Sequence, residues 1–297
     1  MKKRNGNSSE EKRGRFEFGK NWSKYLAGVD AGKIREAERS LAGMLNAHTL
    51  EGKSFLDIGC GSGLFSLAAR RLGATVRSFD YDPVCVSCTE ELKRRFDRND
   101  PSWIIERGDV LDQDYLRSLG KFDIVYSWGV LHHTGAMWRA MENVIENVRE
   151  GGTLYLSIYN DQGKMSEMWA ALKKIYNQSP NVVRVCLVLL VGFVWFTYTA
   201  LFRLMTLKNP IPLKEWRQQK VKRGMSVWHD LVDWVGGYPF EVAKPEEVFE
   251  FFHRRGFELA RLRTVGGRGG CNEFVFLRKE QEETDFSVQE RKPSPRV

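Results

Sequence analysis

The sequence contains little that would cross-link the chain or bind a metal. Its five cysteines are an odd number without a disulfide framework, which indicates a reducing compartment. The pair Cys85-x-x-Cys88 lacks the second pair that would complete a zinc site. The N-terminal stretch is polar and basic, without the apolar segment of a secretory signal. We therefore expect a cytoplasmic protein without a metal.

Acidic residues are outnumbered by basic ones. The 297-residue chain has 46 Lys and Arg against 38 Asp and Glu, a formal net charge of +8. An excess of this sign suits nucleic acid, a phosphorylated substrate or an anionic membrane surface, and charge alone does not choose among them. The length suffices for one large core or two modest ones.

The strongest local pattern is a glycine-rich turn between a strand and a helix. The apolar run 55–58 predicts a buried strand, which ends at Gly59, Gly61 and Gly63, and helical spacing resumes at Leu64. Such a turn lets backbone N–H groups approach a ligand closely. Its Gly-x-Gly-x-Gly spacing differs from the Gly-x-Gly-x-x-Gly of dinucleotide folds, which leaves less provision for a pyrophosphate.

Strands and helices alternate along residues 51–160. The alternation stops at residue 161 and resumes at Pro245 with a helix and two strands. This order predicts an α/β fold, a Rossmann-like doubly wound, mostly parallel sheet with a helical insertion after the fifth strand. The predicted parts are a disordered basic tail (1–15), an aromatic arm and helix (16–50), a core (51–160 plus 245–279), the insertion (161–244) and a disordered charged tail (280–297).

The carboxyl ends of the predicted strands carry the candidate ligand contacts, because open sheets of this kind bind ligands there. Asp80 follows the glycine turn at the distance typical of a carboxylate that binds ribose hydroxyls. Its alternative role is to cap the next helix, which Asp82 is also placed to do. Asp57 is placed either to fix the turn or to meet a cationic ammonium group.

The ordered motifs 56–63, Asp80, 108–110 and 122–133 resemble those of class I S-adenosylmethionine-dependent methyltransferases, in the broad group that includes ubiquinone-pathway O-methyltransferases. The resemblance covers roughly residues 53–159 and, more weakly, the last helix and strands. It is specific for the cofactor and much less so for the substrate. That group often has an acidic residue where this chain has Trp128-Gly129, which argues against metal-assisted catechol chemistry.

The resemblance implies a set of contacts with S-adenosylmethionine. They are Asp57, Gly59, Cys60, Gly61 and Gly63 at the methionine part, Asp80 and the adjoining Tyr81 at the ribose, Asp109 and Val110 at the adenine, and Ser127 and Trp128 beside the transferring methyl.

Methyl transfer to a hydroxyl or a protonated amine needs a base. The candidates are His132 and His133, just after the fourth strand, and His229 in the insertion. The first two alternatively fix their loop through hydrogen bonds. Residues at the two ends of the insertion suit an acceptor pocket or, alternatively, a structured connector: Tyr159, Asn160, Asp161, Asp233 and Tyr238. His229 and Asp233 share a face if their segment is helical.

The insertion contains a long uncharged stretch over residues 185–202, flanked by Arg184 and Arg203. It reaches the lower length limit of a transmembrane helix, but a single crossing would separate halves of one sheet. Two interpretations remain: a helix buried in a lid or dimer interface, or a helix lying in a membrane surface. Residues 203–223 carry seven Lys and Arg against one Glu, which favours contact with anionic lipid.

The favoured hypothesis is a methyltransferase acting at oxygen on a small-molecule or lipid-linked acceptor. Residues 181–223 are the candidate for peripheral membrane contact, with a lid or dimer interface as the alternative. An alternative is an RNA methyltransferase acting on uridine or ribose, motivated by the basic charge. Nucleic acid is disfavoured because the chain lacks an Asp/Asn-Pro-Pro-aromatic motif and a Pro-Cys pair. A further alternative is a cofactor-binding module without catalysis. The sequence does not predict an oligomeric state.

Overall fold

A computed structural model of the chain describes residues 16, 18–211 and 227–280. The predicted tails, apart from Glu280, and most of the basic stretch after Arg203 lie outside the described residues.

Ten helices and seven strands are formed by the described ranges. The helices are α1 (Gly19–Leu26), α2 (Ala31–Leu45), α3 (Leu64–Arg71), α4 (Pro83–Phe96), α5 (Gln113–Leu119), α6 (Met137–Ile145), α7 (Lys164–Gln178), α8 (Asn181–Met205), α9 (Val227–Gly236) and α10 (Pro245–His253). The strands are β1 (Ser54–Ile58), β2 (Thr75–Asp80), β3 (Trp103–Arg107), β4 (Phe122–Trp128), β5 (Val148–Tyr159), β6 (Phe257–Arg263) and β7 (Cys271–Arg278).

The strands form one sheet in the order β3-β2-β1-β4-β5-β7-β6. Strands β1 to β5 pair in parallel, whereas β7 runs antiparallel to both β5 and β6. The chain moves outward from β1 through β2 to β3, then returns to the middle as β4. The predicted mostly parallel, doubly wound sheet is therefore confirmed, and its order reverses between β1 and β4.

Alternating residues of the strands fill two cores, one on each face of the sheet. On one face Phe55 packs with Leu41 and Leu67, from helices α2 and α3. On the other face Leu56 packs with residues such as Met141 and Phe252, from helices α6 and α10. Because successive side chains of a strand point to opposite faces, β1 is buried on both sides, as its continuous apolar run predicts.

Side-chain caps fix where the helices beside the glycine turn begin. The Asp30 carboxylate accepts a hydrogen bond from the Lys33 amide at 2.9 Å and starts α2, as predicted. Asp82 accepts from the Val84 amide at 2.9 Å and starts α4, whose first residue is Pro83. Asp82, rather than Asp80, therefore caps this helix.

Two predicted boundaries after β4 are wrong. The sequence pattern predicts a helix from Ala136 to Val148 and then a turn at Gly151-Gly152 before the fifth strand. Helix α6 instead ends at Ile145, because Val148 joins the sheet opposite Phe122. The Asn147 side chain holds this turn by donating to the carbonyls of Leu116 and Gly120, each at 2.7 Å. Strand β5 thus begins before the predicted Gly151-Gly152 turn.

The apolar face of α7 points only partly into the protein. Helical spacing predicts an amphipathic helix with an apolar face formed by Met165, Met168, Trp169, Leu172 and Ile175. Of these, Trp169 and Leu172 are partly buried, whereas Met165, Met168 and Ile175 are exposed. The fully buried positions of the helix include Lys173 and Tyr176, and Lys173 holds the next elements through polar contacts. Periodicity identified the helix correctly, but not which side of it meets the core.

Helix α8 is the most exposed apolar element of the described chain. It has 25 residues, and only 6 % of its most apolar window is buried. Burial in a lid of the same chain is therefore wrong for most of its length. Among the described residues it is the one helix that is long and apolar enough to cross a membrane.

The insertion leaves the sheet and returns to it at the same place. The Ala243 amide donates to the Tyr159 carbonyl at 3.0 Å, and the Asp161 amide donates to the Ala243 carbonyl at 3.2 Å. Helices α7, α8 and α9 therefore form an excursion from the carboxyl end of β5.

Candidate active site

The reversal of strand order between β1 and β4 opens a crevice at the carboxyl ends of these strands. The segments that follow them are in direct contact: a Cβ atom on Gly59 would lie 2.4 Å from the Val130 side chain. The Ser127 hydroxyl donates to the Ile58 carbonyl at 3.3 Å. The glycine turn and the histidine-containing turn therefore form one continuous wall.

Backbone conformation explains why glycines occupy the turn. Gly59, Gly61 and Gly63 have φ values of 77°, 56° and 78°, in the left-handed region that side chains disfavour. The Gly59 and Cys60 amides both donate to the Phe79 carbonyl, at 2.9 and 3.1 Å. These bonds hold the turn against the end of β2, where Asp80 follows.

Asp80 joins the glycine turn to the start of α4. One of its carboxylate oxygens accepts from the Gly61 amide at 3.0 Å, and the other accepts from the Asp82 amide at 2.9 Å. Each oxygen retains acceptor capacity, which is what a pair of ribose hydroxyls needs. Burial raises the pKa of Asp80 to about 6, against the opposing effect of the two amide donors.

Asp57 lies inside the fold, only 2 % exposed. Its carboxylate accepts a hydrogen bond from the Ser66 hydroxyl, and the hydroxyls of Ser66 and Ser78 lie 2.8 Å apart, within hydrogen-bond distance. Burial first, and then the charge of Asp80, raise the pKa of Asp57 to about 7. Asp57 thus joins the end of β1 to α3, which begins directly after the glycine turn, and the contact with an ammonium group stays a prediction.

The other implied cofactor contacts divide into accessible and buried side chains. Tyr81 and Trp128 are exposed at the crevice edge, and the Asp109 carboxylate accepts from the Leu111 amide at 2.9 Å. The side chains of Cys60, Val110 and Ser127 are buried. These three would meet a cofactor through their backbone.

The residues present suit a cationic nucleoside such as S-adenosylmethionine. Asp57 and Asp80 both have raised pKa values and no Lys or Arg among the causes of those shifts. A sulfonium or ammonium group nearby would stabilise their ionised forms. The exposed rings of Tyr81 and Trp128 add flat apolar surface at the same edge.

The N-terminal arm covers the glycine turn and reaches across to the insertion. A Cβ on Gly61 would lie 3.0 Å from the Trp22 ring, and the Gly19 amide donates to the Asp82 carboxylate at 3.0 Å. On the other side, the rings of Phe18 and His133 lie 4.8 Å apart. The aromatic density of the arm hinted at this position, but its individual partners were not predicted.

His132 is fully buried behind this crevice. Its Nδ1 accepts from the Tyr159 amide at 3.3 Å, so the neutral ring carries its proton on Nε2. Burial first, and then the charges of His133 and Lys173, lower the pKa of His132 well below its usual value. His132 therefore positions the end of β5 as a neutral ring.

His133 is only partly buried and has a different partner. Its Nδ1 lies 2.5 Å from the Pro239 carbonyl oxygen. A carbonyl can only accept, so Nδ1 carries the proton and Nε2 of the neutral ring carries a lone pair. The two adjacent histidines thus adopt opposite tautomers.

Tyr159 is the centre of an aromatic cluster at the start of the insertion. Its ring lies 4.0 Å from that of His132, 5.1 Å from Phe240 and 5.9 Å from Trp234. The ring of His133 lies 5.4 Å away. The stretch around Trp234 and Phe240 was expected to border an acceptor pocket, and the structure brings it against Tyr159.

The other predicted acceptor residues are held in polar contacts. The Asn160 side chain accepts a hydrogen bond from the Asn272 amide group at 2.9 Å and donates to the Arg268 carbonyl at 3.2 Å. Asp161 accepts from the Gly163 amide at 2.8 Å. Both stabilise the departure of the insertion from the sheet.

Asp233 and Tyr238 instead contact the N-terminal arm. The Asp233 carboxylate accepts from the Asn21 side chain, and the Tyr238 carbonyl accepts from the Phe16 amide at 3.0 Å. These contacts place the end of α9 beside His133. The side chain of His229, in the same helix, lies outside the described part of the structure.

A buried lysine that no sequence pattern singled out holds α9 in place. Lys173 donates to the Trp234 carbonyl and lies 4.7 Å from the centre of the Phe240 ring. Burial lowers its pKa to about 7, despite the opposing charge of Asp233. Asn177 donates to the Gly236 carbonyl at 2.6 Å, so α7 caps the last turn of α9.

No group of three or more His, Cys, Asp or Glu side chains with metal-binding geometry occurs within the described ranges. Comparison with known proteins identifies the family to which the crevice belongs. The sequence profile of a family described as "Methyltransferase domain" matches residues 32–242.

Two curated relatives share shorter segments. Ribosomal protein L11 methyltransferase of Thermotoga maritima is 37 % identical over 84 residues, which is 28 % of this chain and 29 % of that protein. Ubiquinone biosynthesis O-methyltransferase of Coxiella burnetii is 30 % identical over 112 residues, which is 38 % of this chain and 46 % of that protein. The matches thus span less than half of these relatives.

A solved structure supports the fold. PKMT2 from Rickettsia typhi, in complex with AdoHcy, aligns with a TM-score of 0.51 over 82 % of this chain and 54 % of that chain, at 14 % identity. At this identity the likeness is one of fold. Because the family profile covers more than half of the sequence, the chain belongs to the methyltransferase-domain family.

Proposed function

We propose that the protein is an S-adenosylmethionine-dependent methyltransferase that methylates an oxygen atom of a small-molecule or lipid-linked acceptor bound beside His133. The observation that carries this proposal is the tautomer of His133. Its bond to Pro239 places the ring proton on Nδ1, which makes Nε2 the basic atom of the neutral ring. A hydroxyl nucleophile needs such a group, because its proton must leave as the new bond to carbon forms.

The bound cofactor supplies an electrophilic methyl group on a sulfonium centre. In the proposed reaction the acceptor oxygen bonds to that carbon, the carbon–sulfur bond breaks, and the hydroxyl proton moves to His133 Nε2. The Pro239 carbonyl stabilises the protonated ring through its bond to Nδ1, as a fixed acceptor does for a catalytic histidine. The proton then leaves to solvent, since His133 is only partly buried.

His132 has a positioning role in this scheme. It is fully buried, and its low pKa keeps the ring neutral. Its bond to the Tyr159 amide fixes the residue that would face the acceptor. His229 remains a predicted alternative base in α9.

The aromatic surroundings favour an acceptor with an apolar or aromatic body. Tyr159, Trp234 and Phe240 pack together within ring distances of 5.9 Å, and Phe18 closes against His133. Flat rings bury large areas and exclude water, which methyl transfer requires. The partial match to a ubiquinone biosynthesis O-methyltransferase agrees with an acceptor hydroxyl on an apolar molecule.

We further propose a cytoplasmic location with peripheral membrane contact through residues 181–223. The exposed apolar surface of α8 and the basic residues that follow it in sequence support this part of the proposal. An acceptor attached to a lipid would be available at such a surface.

Incubation of the enzyme with methyl-labelled S-adenosylmethionine and fractionated cell extract tests the proposal. We expect label in an organic-soluble fraction, as a base-stable ether or an ester, with formation of S-adenosylhomocysteine. Label confined to RNA would replace this function with the alternative drawn from the basic charge. No labelled product in any fraction would contradict catalysis altogether.

A further inference from the structure

Helix α8 is anchored to the insertion by one side of its N-terminal half. Val188 is buried there with Val235 of α9, and Leu187 and Val191 pack around them. A Cβ on Gly192 would lie 2.8 Å from Leu231, which shows how closely the two helices approach. Because α9 also carries Trp234, one helix separates α8 from the aromatic cluster around Tyr159.

The opposite side of α8 has no partner within the described residues. Five apolar residues on this side, spread from the first turn of the helix to the last, are exposed. They are Val182, Leu189, Leu190, Phe193 and Leu204, with exposures of 74 %, 54 %, 59 %, 69 % and 57 %. At a rise of about 1.5 Å per residue the apolar strip is on the order of 35 Å long. Strips of this size mark an interaction surface.

Cations flank the strip. Arg184 lies near its first turn, where it donates to the carbonyls of Tyr176 and Asn177 at 3.1 and 2.8 Å. Arg203 lies in the last turn and donates to the Asn209 carbonyl at 2.6 Å. Lys208 follows, and the sequence continues with five more basic residues up to Arg223. The apolar strip is therefore bordered by positive charge at its two ends.

We propose that this strip docks α8 into the surface of an anionic lipid bilayer, with the helix axis close to the membrane plane. The inference rests on the proposed function, and it names the surface from which a lipid-linked acceptor enters. An in-plane helix places its apolar side at the acyl boundary and keeps the flanking cations at the level of the head groups.

Two other occupants fit less well. A single crossing of the bilayer would leave the end of α8 on the side away from the sheet, although the chain returns to the sheet at Ala243. It would also pull the anchored half of α8 away from α9. A second copy docked symmetrically would bring two basic clusters together, which repel each other. An anionic bilayer surface covers the apolar strip with acyl chains and attracts the flanking cations to its head groups.

The test is flotation of the full chain with vesicles of phosphatidylcholine alone or mixed with phosphatidylglycerol. We expect binding to the mixed vesicles that weakens as salt is raised. The variant Phe193→Glu/Leu204→Glu should lose at least tenfold in vesicle binding. The matched control Ile104→Glu/Leu262→Glu makes the same charge change at exposed apolar residues of the edge strands β3 and β6 and should bind as the unaltered chain does.

Calorimetric affinity for S-adenosylmethionine is measured on every variant, so loss of the fold or of the proposed function is separated from loss of docking. The variant Arg203→Gln/Lys208→Gln should bind phosphatidylcholine unchanged and lose its preference for phosphatidylglycerol. Equal flotation of the Phe193→Glu/Leu204→Glu variant would overturn the proposal. So would a failure of the unaltered chain to float, and a dimer in sedimentation that this variant dissociates would assign the strip to a second copy.

Discussion

His133 and Pro239 are 106 positions apart in the sequence, yet the ring nitrogen and the carbonyl oxygen lie 2.5 Å from each other. One belongs to the turn after β4, the other to the segment that leaves α9. Their bond joins the core sheet to the insertion at the point where we propose that the acceptor binds.

Replacement of His133 tests the proposed base. We expect His133→Ala to lower kcat at least about 100-fold, the usual contribution of a general base, with little change in cofactor affinity. Its pH–rate profile should lose the limb on which the rate rises with pH. The measurement is the rate of S-adenosylhomocysteine formation, with the extract fraction that takes up label in the experiment described above as acceptor.

The control for this variant is His48→Ala, at an exposed position before the amino end of β1, whereas the crevice lies at its carboxyl end. It should leave the rate unchanged. A His133→Ala enzyme with an unaltered rate and pH profile would eliminate His133 as the base and return attention to His229.

Removal of the Asp80 carboxylate tests the ribose contact. Asp80→Ala deletes the group that accepts from the Gly61 and Asp82 amides. We expect at least a 10-fold weaker Kd for S-adenosylmethionine by titration calorimetry, since lost hydrogen bonds to a charged group are worth about 1.5–3 kcal/mol. Asp112→Ala, which removes the cap of α5, serves as the control and should bind normally.

The raised pKa of Asp57 predicts how stability depends on pH. Between its ordinary value of 3.8 and about 7, the folded state holds a proton that the unfolded state has lost. The free energy of unfolding of the cofactor-free enzyme should therefore fall as pH rises through this window. The decrease is on the order of 4 kcal/mol at most, at about 1.36 kcal/mol per unit.

The variant Asp57→Asn should flatten this dependence, because it has no proton to lose. Urea unfolding at pH 5 and pH 8 measures the difference. A decrease of equal size in the variant and the unaltered enzyme would show that other groups cause it.

Gly59 and Gly129 have the same backbone conformation, so alanine substitutions at these positions distinguish backbone strain from steric overlap of the added Cβ. Gly59 and Gly129 have φ values of 77° and 76°. A Cβ would lie 2.4 Å from Val130 at Gly59, whereas at Gly129 it would meet nothing within 4 Å. Gly129→Ala should destabilise the protein by about 1–2 kcal/mol from strain alone, and Gly59→Ala by about 1–3 kcal/mol more.

The double variant Gly59→Ala/Val130→Ala should recover most of that additional loss, since it removes the overlapping atoms. Thermal unfolding of the three variants gives the comparison. If Gly59→Ala and Gly129→Ala are equally stable, the close packing of the two turns is not the reason for glycine at position 59.

Sequence reasoning succeeded where the determining contacts are local. The glycine turn, the Asp82 cap and the alternation of strands and helices follow from patterns a few residues long. It failed for partners far apart in the sequence. Asn21 and Asp233, 212 positions apart, and Lys173, inside a helix whose apolar side faces outward, carried no local signal.

The hydrophobic pattern also misled where apolar residues are exposed. Periodicity assumes that apolar positions face the protein, and in α7 the residues Met168 and Ile175 do not. For α8 the sequence left burial and membrane contact open, because composition is the same in either case. The structure shows that one side of α8 packs against α9 and that most of the helix is exposed.

The bridge between Asn160 and Ala243 divides the enzyme into two separately variable parts. The chain leaves the sheet and rejoins it within one pair of hydrogen bonds, so the sheet that binds the methyl donor is complete without the helices in between. In the proposed scheme, acceptor choice and membrane contact belong to this excursion, whereas the contacts with the methyl donor belong to the turns that follow β1, β2 and β4. The two roles thus lie in different stretches of the chain, although His133 and Pro239 join them.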